Sequence, residues 1–90
     1  MMVCRLCHVS GRVQGVFFRA STREKADELG IHGFVRNQDD GSVYLEAEGP
    51  EEALGDLVEW LEDGPTEAGV EELIVHEDEI RDLEGFEIRP

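Results

Sequence analysis

Positively charged residues are scarce in this chain of 90 residues, and lysine occurs only once, as Lys25. Eight lysines and arginines stand against 22 aspartates and glutamates, for a formal net charge of −14 at pH 7. Most of the acids lie in residues 39–90, where Arg81 and Arg89 are the only bases. Nucleic acid phosphates would be repelled, so we expect no nucleic acid partner. The pattern favours a solvated acidic surface adapted to high salt, with docking to a basic partner as the alternative.

Long apolar runs are also missing. No segment approaches the ~20 apolar residues that a membrane span needs, and the N-terminal residues show no signal-peptide pattern. We therefore expect no membrane partner and a cytoplasmic location. A chain of this length with 40% hydrophobic residues is expected to form one domain, residues 1–90, around a single core, and to be a monomer.

Cysteine occurs twice, at Cys4 and Cys7, in a segment that is typical of a strand. Strand alternation sends the two thiols to opposite faces, so we expect both to be reduced and to share neither a disulfide nor a metal ion. Met2-x-Cys4-x-x-Cys7 is similar to the soft-metal motif of heavy-metal-associated domains, but there the pair follows the first strand. Cys4 to His8 also matches the c-type haem attachment pattern, which needs export and a helical segment. No metal and no cofactor are expected. His8, His32 and His76 do not have the spacing of metal ligands, so we interpret them as strand or surface residues.

Hydrophobic periodicity, punctuated by glycine and proline, divides the chain into strands and helices. An Asp-Gly turn in residues 38–41 predicts a hairpin. Gly30 and Gly64 end the two helices, and Pro50 is expected at the first position of the second. The order β-α-β-β-α-β, with a short extra strand, predicts an α+β fold: a ferredoxin-like two-layer sandwich, an antiparallel sheet with two helices on one face. The predicted strands are residues 3–10, 31–37, 43–48, 70–75 and 86–89. The predicted core face of the first helix is Phe18, Thr22, Ala26 and Leu29, and that of the second helix is Leu54, Leu57, Val58 and Leu61. Trp60 is expected to pack beside the core face of the second helix.

The loop between the first strand and the first helix carries the main functional signal. Gly11 and Gly15 allow positive φ and close approach of the backbone to a ligand. No proline interrupts residues 12–19, so every residue keeps its backbone N–H, and successive N–H groups before a helix N-terminus suit an anion. Arg19, at the start of the helix, can hold two phosphate oxygens with one guanidinium. A turn without a ligand remains the alternative, and the glycine spacing matches neither a Walker A loop nor a dinucleotide fingerprint.

Two motifs resemble the signatures of the acylphosphatase family. The first is Gly11-Arg12-Val13-Gln14-Gly15-Val16-x-Phe18-Arg19, and the second is Gly33-Phe34-Val35-Arg36-Asn37 with Asp40-Gly41-Ser42-Val43. The resemblance covers the whole chain, with matching length and element order. It implies an acylphosphatase, a hydrolase of acyl phosphates that needs no metal. It also implies that phosphate is bound by the loop amides and by the Arg19 side chain. The residues of this implied phosphate site are Gln14, Gly15, Val16, Phe17, Phe18 and Arg19.

The same resemblance assigns the orientation of the attacking water to Asn37. The second strand is expected to run beside the first, which would bring its final residue, Asn37, near the loop. Arg12 and Arg36 either attract the anionic substrate or are solvated rim residues. The leaving carboxylate, whose conjugate acid has a pKa of about 4, needs no general acid. The partners expected are therefore a small acyl phosphate and inorganic phosphate or another anion; a domain that binds phosphate without turnover is the remaining alternative.

Overall fold

The computed structural model describes all residues, 1–90, and confirms the ferredoxin-like fold class. The strands and helices follow one another in the predicted order β-α-β-β-α-β, and the additional short strand comes last. The elements are β1 (Met2–Arg12), α1 (Phe18–Leu29), β2 (His32–Asn37), β3 (Val43–Pro50), α2 (Glu51–Asp63), β4 (Gly69–Asp78) and β5 (Phe86–Arg89).

The five strands form one sheet in the order β4-β1-β3-β2-β5. β1 pairs antiparallel with β3 and β4, and β2 pairs antiparallel with β3, while β5 adds a parallel pair with β2. The expectation that β2 runs beside β1 is wrong, because β3 lies between them. Since both strands are antiparallel to β3, β1 and β2 run in the same direction, and their C-terminal residues lie at the same end of the sheet. This shared direction brings the loop after β1 close to Asn37.

Both helices pack on the same face of the sheet and cover the core. On α1 the predicted face is buried at Phe18, Thr22 and Ala26, and on α2 at Leu54, Leu57 and Leu61. Trp60 packs against Phe18 with 6.0 Å between ring centroids, which confirms its predicted place in helix packing. Truncating a fully buried leucine such as Leu57 to alanine is expected to cost about 2–5 kcal/mol of unfolding free energy.

The helix ends follow the glycine signals, with one difference at Pro50. Gly30 closes α1 at φ 70°, and its N–H donates to the carbonyls of Ala26 and Asp27. Gly64 closes α2, where a Cβ would come within 2.7 Å of Phe18 Cε2. Pro50 is the residue before α2 rather than its first residue, because its ψ of 140° is extended and its pairing with Met2 ends the sheet. Neither helix has the length and hydropathy of a membrane span.

The opposite face of the sheet holds the segment between β4 and β5, residues 79–85. The buried Glu48 carboxylate accepts hydrogen bonds from the backbone N–H groups of Arg81 and, at 2.8 Å, Leu83. Cys4 lies on this face, whereas Cys7 belongs to the core under the helices, so the predicted alternation is confirmed. Both cysteines are free, and burial raises the pKa of each thiol, that of Cys7 to about 12.

The three histidines are strand residues, as predicted. His8 packs against Tyr44 at 4.8 Å between ring centroids and against His76 at 6.2 Å. The ring Nδ1 of His32 lies 3.0 Å from the carbonyl oxygen of Leu83.

Candidate functional site

The loop from β1 to α1 turns through two left-handed residues. Gly15 has φ 75°, and Phe17, the residue before α1, has φ 62° and ψ 25°. Gly11 has a different role from the one expected, because β1 extends to Arg12 and Gly11 lies inside it. A Cβ at Gly11 would come within 2.3 Å of the carbonyl oxygen of Gly69 in β4, next to a register shift between the strands. Gly11 is therefore required for strand pairing, and Gly15 is the glycine that gives the loop its left-handed turn.

The backbone N–H groups of residues 14–20 have no acceptor in the protein. The first helical donor is Ser21, whose N–H bonds the Phe17 carbonyl at 3.0 Å, and no side chain caps the start of α1. The first turn of α1 also contains no acid, whereas the first turn of α2 contains Glu51 and Glu52. In a chain with 22 acids, the positive end of α1 thus has neither a capping side chain nor an acid in its first turn. Free amides at a helix N-terminus suit an anionic ligand.

The Gln14 side chain ties this loop to the β2–β3 turn. Its Nε2 donates to the carbonyl oxygen of Gln38 at 2.8 Å and to that of Ser42 at 2.9 Å. Gln14 is a predicted phosphate-binding residue through its backbone amide, and no local sequence pattern indicates this second role of its side chain. The two bonds fix the distance between the loop and the turn that follows Asn37.

Asp40 makes the β2–β3 turn rigid. One oxygen of its carboxylate, Oδ1, accepts from the Ser42 N–H at 2.9 Å and from the Ser42 hydroxyl at 2.5 Å. These hydrogen bonds, the hydroxyl first, hold the pKa of Asp40 below its usual value. Gln38 closes the turn by donating from its backbone N–H to the Ser42 carbonyl at 2.9 Å. The end of β2, and with it Asn37, is held in place by these bonds.

Arg19 and Asn37 line one open cavity of about 310 Å³ between the loop, α1 and the sheet. Arg19 Nη1 donates to the carbonyl of Arg89 at 2.8 Å, which leaves the other guanidinium donors without a protein partner. The Asn37 side chain makes no hydrogen bond to the protein, so its carbonyl and amide ends are both available. β5 contributes Ile88 to the lining and the Arg89 carbonyl as the partner of Arg19, and nothing in the pattern of residues 86–89 predicts this, because it does not indicate which strand β5 joins. The remaining lining residues are Val13, Gly15, Phe17, Phe18, Ala20 and Ile88.

Arg12 and Arg36 do not line this cavity. Arg12 is exposed at the end of β1. The Arg36 guanidinium lies 5.0 Å from the centre of the Tyr44 ring, and Tyr44 is on the face of the sheet away from the helices. Arg19 is therefore the only cationic side chain that lines the cavity.

Fold and cavity together define a class: a small ferredoxin-like α+β protein with free amides, an arginine and an asparagine around one cavity. The acylphosphatase family model matches residues 6–88, so the chain belongs to the acylphosphatase family. It is similar to an acylphosphatase of Haloquadratum walsbyi, with 51% identity over 81 residues, covering 90% of this chain and 87% of the relative. An acylphosphatase of Nitrosococcus oceani is 48% identical over 89 residues, covering 99% of this chain and all of the relative.

A solved structure gives the same result for the fold. The structure of an acylphosphatase from Coxiella burnetii superposes with a TM-score of 0.95 at 42% identity, covering 98% of this chain and 93% of the other. The chain is therefore described by the acylphosphatase family and not by the heavy-metal-associated domains.

Proposed function

We propose that this enzyme hydrolyses acyl phosphates to a carboxylate and inorganic phosphate, with the loop amides and Arg19 binding the phosphate and Asn37 orienting the attacking water. Membership of the acylphosphatase family supports the reaction class, because acylphosphatases are hydrolases that act on acyl phosphates. The observation that carries the residue assignment is the set of free N–H groups in residues 14–20, a segment of which Gly15, Phe17, Phe18, Arg19 and Ala20 line the same cavity as Asn37.

The phosphate end of the substrate needs positive charge and fixed donors. The amides of Gln14, Gly15, Val16, Phe17, Phe18 and Arg19 supply donors whose positions are set by the loop, and the α1 N-terminus adds about half a positive charge. The free N–H groups of the Arg19 guanidinium can hold two phosphoryl oxygens together. Because these donors are in place before the reaction, they stabilise the charge of the transition state without reorganisation.

The reaction then requires one positioned water molecule. Its oxygen attacks phosphorus in line, the bond from phosphorus to the acyl oxygen breaks, and the carboxylate leaves with the electron pair. The proton released by the water passes to the product phosphate or to solvent. The Asn37 carbonyl can accept a hydrogen bond from the water while its amide donates to a phosphoryl oxygen. The leaving carboxylate is a weak base, so no general acid is needed, and the cavity lining contains no carboxyl or imidazole group.

The proposed mechanism assigns no step to a metal ion or cofactor, because the amides and Arg19 provide the charge that phosphoryl transfer demands. We also propose that the protein works as a cytoplasmic monomer in a salt-rich medium. Its ion pairs within 4 Å involve only six of the 22 acids, and most of the other carboxylates are exposed.

Hydrolysis of benzoyl phosphate in the presence of EDTA tests the proposed function. We expect turnover that EDTA does not reduce, with competitive inhibition by inorganic phosphate. Phosphate binding without turnover would instead assign the cavity to a binding module, and activity restored only by a divalent cation would contradict the metal-free mechanism. Sedimentation over a range of salt concentrations tests the monomer.

A further inference from the structure

The part of the cavity that does not hold the phosphate is apolar. Among the lining side chains, only Arg19 and Asn37 are polar. Two large apolar side chains of the lining remain exposed: Phe17, at 76%, and Ile88, at 39%. At about 310 Å³ the cavity is at the small end of ligand sites, which suits one compact acyl group rather than a long chain.

Phe17 occupies a position that the fold alone does not favour. Its left-handed conformation, with φ 62°, is rare for a bulky aromatic residue and suits glycine or asparagine better. The ring gains little from packing, since it is largely exposed, and it caps no helix donor. A strained and exposed aromatic side chain beside a cavity indicates a contact made when a ligand is bound.

The cavity offers no second cation for a charged acyl group. Arg19 is its only base, and the protein as a whole has a formal net charge of −14. A carboxylate or second phosphate on the acyl part would lose water without gaining a charged partner, which costs free energy. An apolar acyl group would instead cover the exposed ring and the isoleucine side chain, which is favourable.

We infer that Phe17 and Ile88 are specificity-determining residues that select acyl phosphates with an uncharged, apolar acyl group, aromatic in preference to small. The inference rests on the proposed hydrolysis and adds to it the class of substrate. Phe17 lies in the loop and Ile88 in β5, so the two side chains approach the acyl group from different elements of the fold.

The test compares kcat/KM for benzoyl, acetyl and succinyl phosphate in the wild type and three variants. Phe17→Gly keeps the backbone N–H and suits the left-handed conformation, so it removes the ring without removing a loop donor. Ile88→Thr has a matched control in Ile74→Thr, because Ile74 is 41% exposed and also lies on an edge strand of the sheet, at the other side. The intrinsic reactivities of the substrates are the same for every variant, so a change in their ratio reports on the altered side chain.

We expect the wild type to prefer benzoyl over acetyl and acetyl over succinyl phosphate. The benzoyl to acetyl ratio of kcat/KM should fall about tenfold in Phe17→Gly and about threefold in Ile88→Thr, and it should not change in Ile74→Thr. Inhibition by inorganic phosphate, measured in parallel, reports on the phosphate cradle separately. Three results would overturn the inference. The benzoyl to acetyl ratio could be unchanged in Phe17→Gly, it could fall equally in Ile88→Thr and Ile74→Thr, or the wild type could prefer succinyl phosphate. Absence of hydrolysis of all three substrates would instead overturn the proposed function.

Discussion

Replacing Arg19 by alanine removes the only cationic side chain of the cavity. One of its donors is bound to the Arg89 carbonyl, and the others are free for the phosphate. Loss of a two-pronged charged contact to the transition state is expected to cost about 3–4 kcal/mol, or about 10²- to 10³-fold in kcat/KM. Arg19→Lys restores a charge without the planar fork and should recover only part of this loss.

The effect on folding should be small, because the side chain is partly exposed and gives up one hydrogen bond to an exposed carbonyl. We expect a loss of about 0.5–1 kcal/mol in unfolding free energy, seen as a melting temperature a few degrees lower. The loss of activity therefore cannot be attributed to unfolding.

Arg23→Ala is the matched control for this experiment. Arg23 lies one turn further along α1, and its charge is compensated only by an exposed ion pair with Asp27 at 3.8 Å. Both variants change the net charge equally, so a purely long-range effect of charge would affect them alike. Steady-state hydrolysis of benzoyl phosphate and inhibition by inorganic phosphate should leave Arg23→Ala within about twofold of the wild type, as expected for an exposed ion pair. If Arg19→Ala stays within about tenfold of the wild type, the reasoning on the phosphate cradle is refuted.

Four further outcomes are expected. Asn37→Ala should lower kcat by about 10²-fold but weaken inhibition by inorganic phosphate only a few-fold, because a single neutral hydrogen bond to the bound phosphate is lost; equal kcat in variant and wild type would remove Asn37 from the mechanism. Gln14→Ala loses both bonds to the β2–β3 turn, so the melting temperature should fall by about 5–10 °C and inhibition by phosphate should weaken; unchanged inhibition would contradict the positioning role. Folding lowers the pKa of the Asp40 carboxyl. The ionised carboxylate therefore stabilises the fold fully above about pH 4, and this stabilisation is lost as the pH falls through the lowered pKa of the folded protein. The melting temperature of Asp40→Asn should therefore be lower than the wild type's at about pH 7, with a difference that narrows below about pH 4; a gap that does not depend on pH would contradict the assignment. Raising NaCl from about 0.1 M to about 2 M shortens the screening length from about 10 Å to below 3 Å and should raise the melting temperature by several degrees; a constant value would contradict the salt-adapted surface.

The elements of the fold could be predicted because glycine and proline mark their ends. Gly30 and Gly64 stop the helices where expected, and the spacing of Phe18, Thr22 and Ala26 identifies the buried face of α1. Pro50 lies one residue before its predicted place in the helix, because its extended ψ of 140° and its pairing with Met2 keep it in β3.

The contacts that assemble the site could not be predicted in the same way. Gln14 reaches Gln38 and Ser42, and Arg19 reaches Arg89, across 24 to 70 residues of sequence. Such contacts depend on the order of the strands, and no local pattern showed that β3 lies between β1 and β2. The requirement for Gly11 likewise depends on the register of β1 against β4.

The central proposal is that the free amides of residues 14–20, together with Arg19 and Asn37, form one binding site for a phosphate group. The most direct measurement is an NMR titration of the ¹⁵N-labelled protein with inorganic phosphate in the presence of EDTA. We expect saturable shifts concentrated in the backbone amides of residues 14–20 and in the Asn37 side-chain amide, with the first turn of α2 unaffected. Shifts that are absent from the loop, or that occur equally at both helix N-termini, would contradict the assignment.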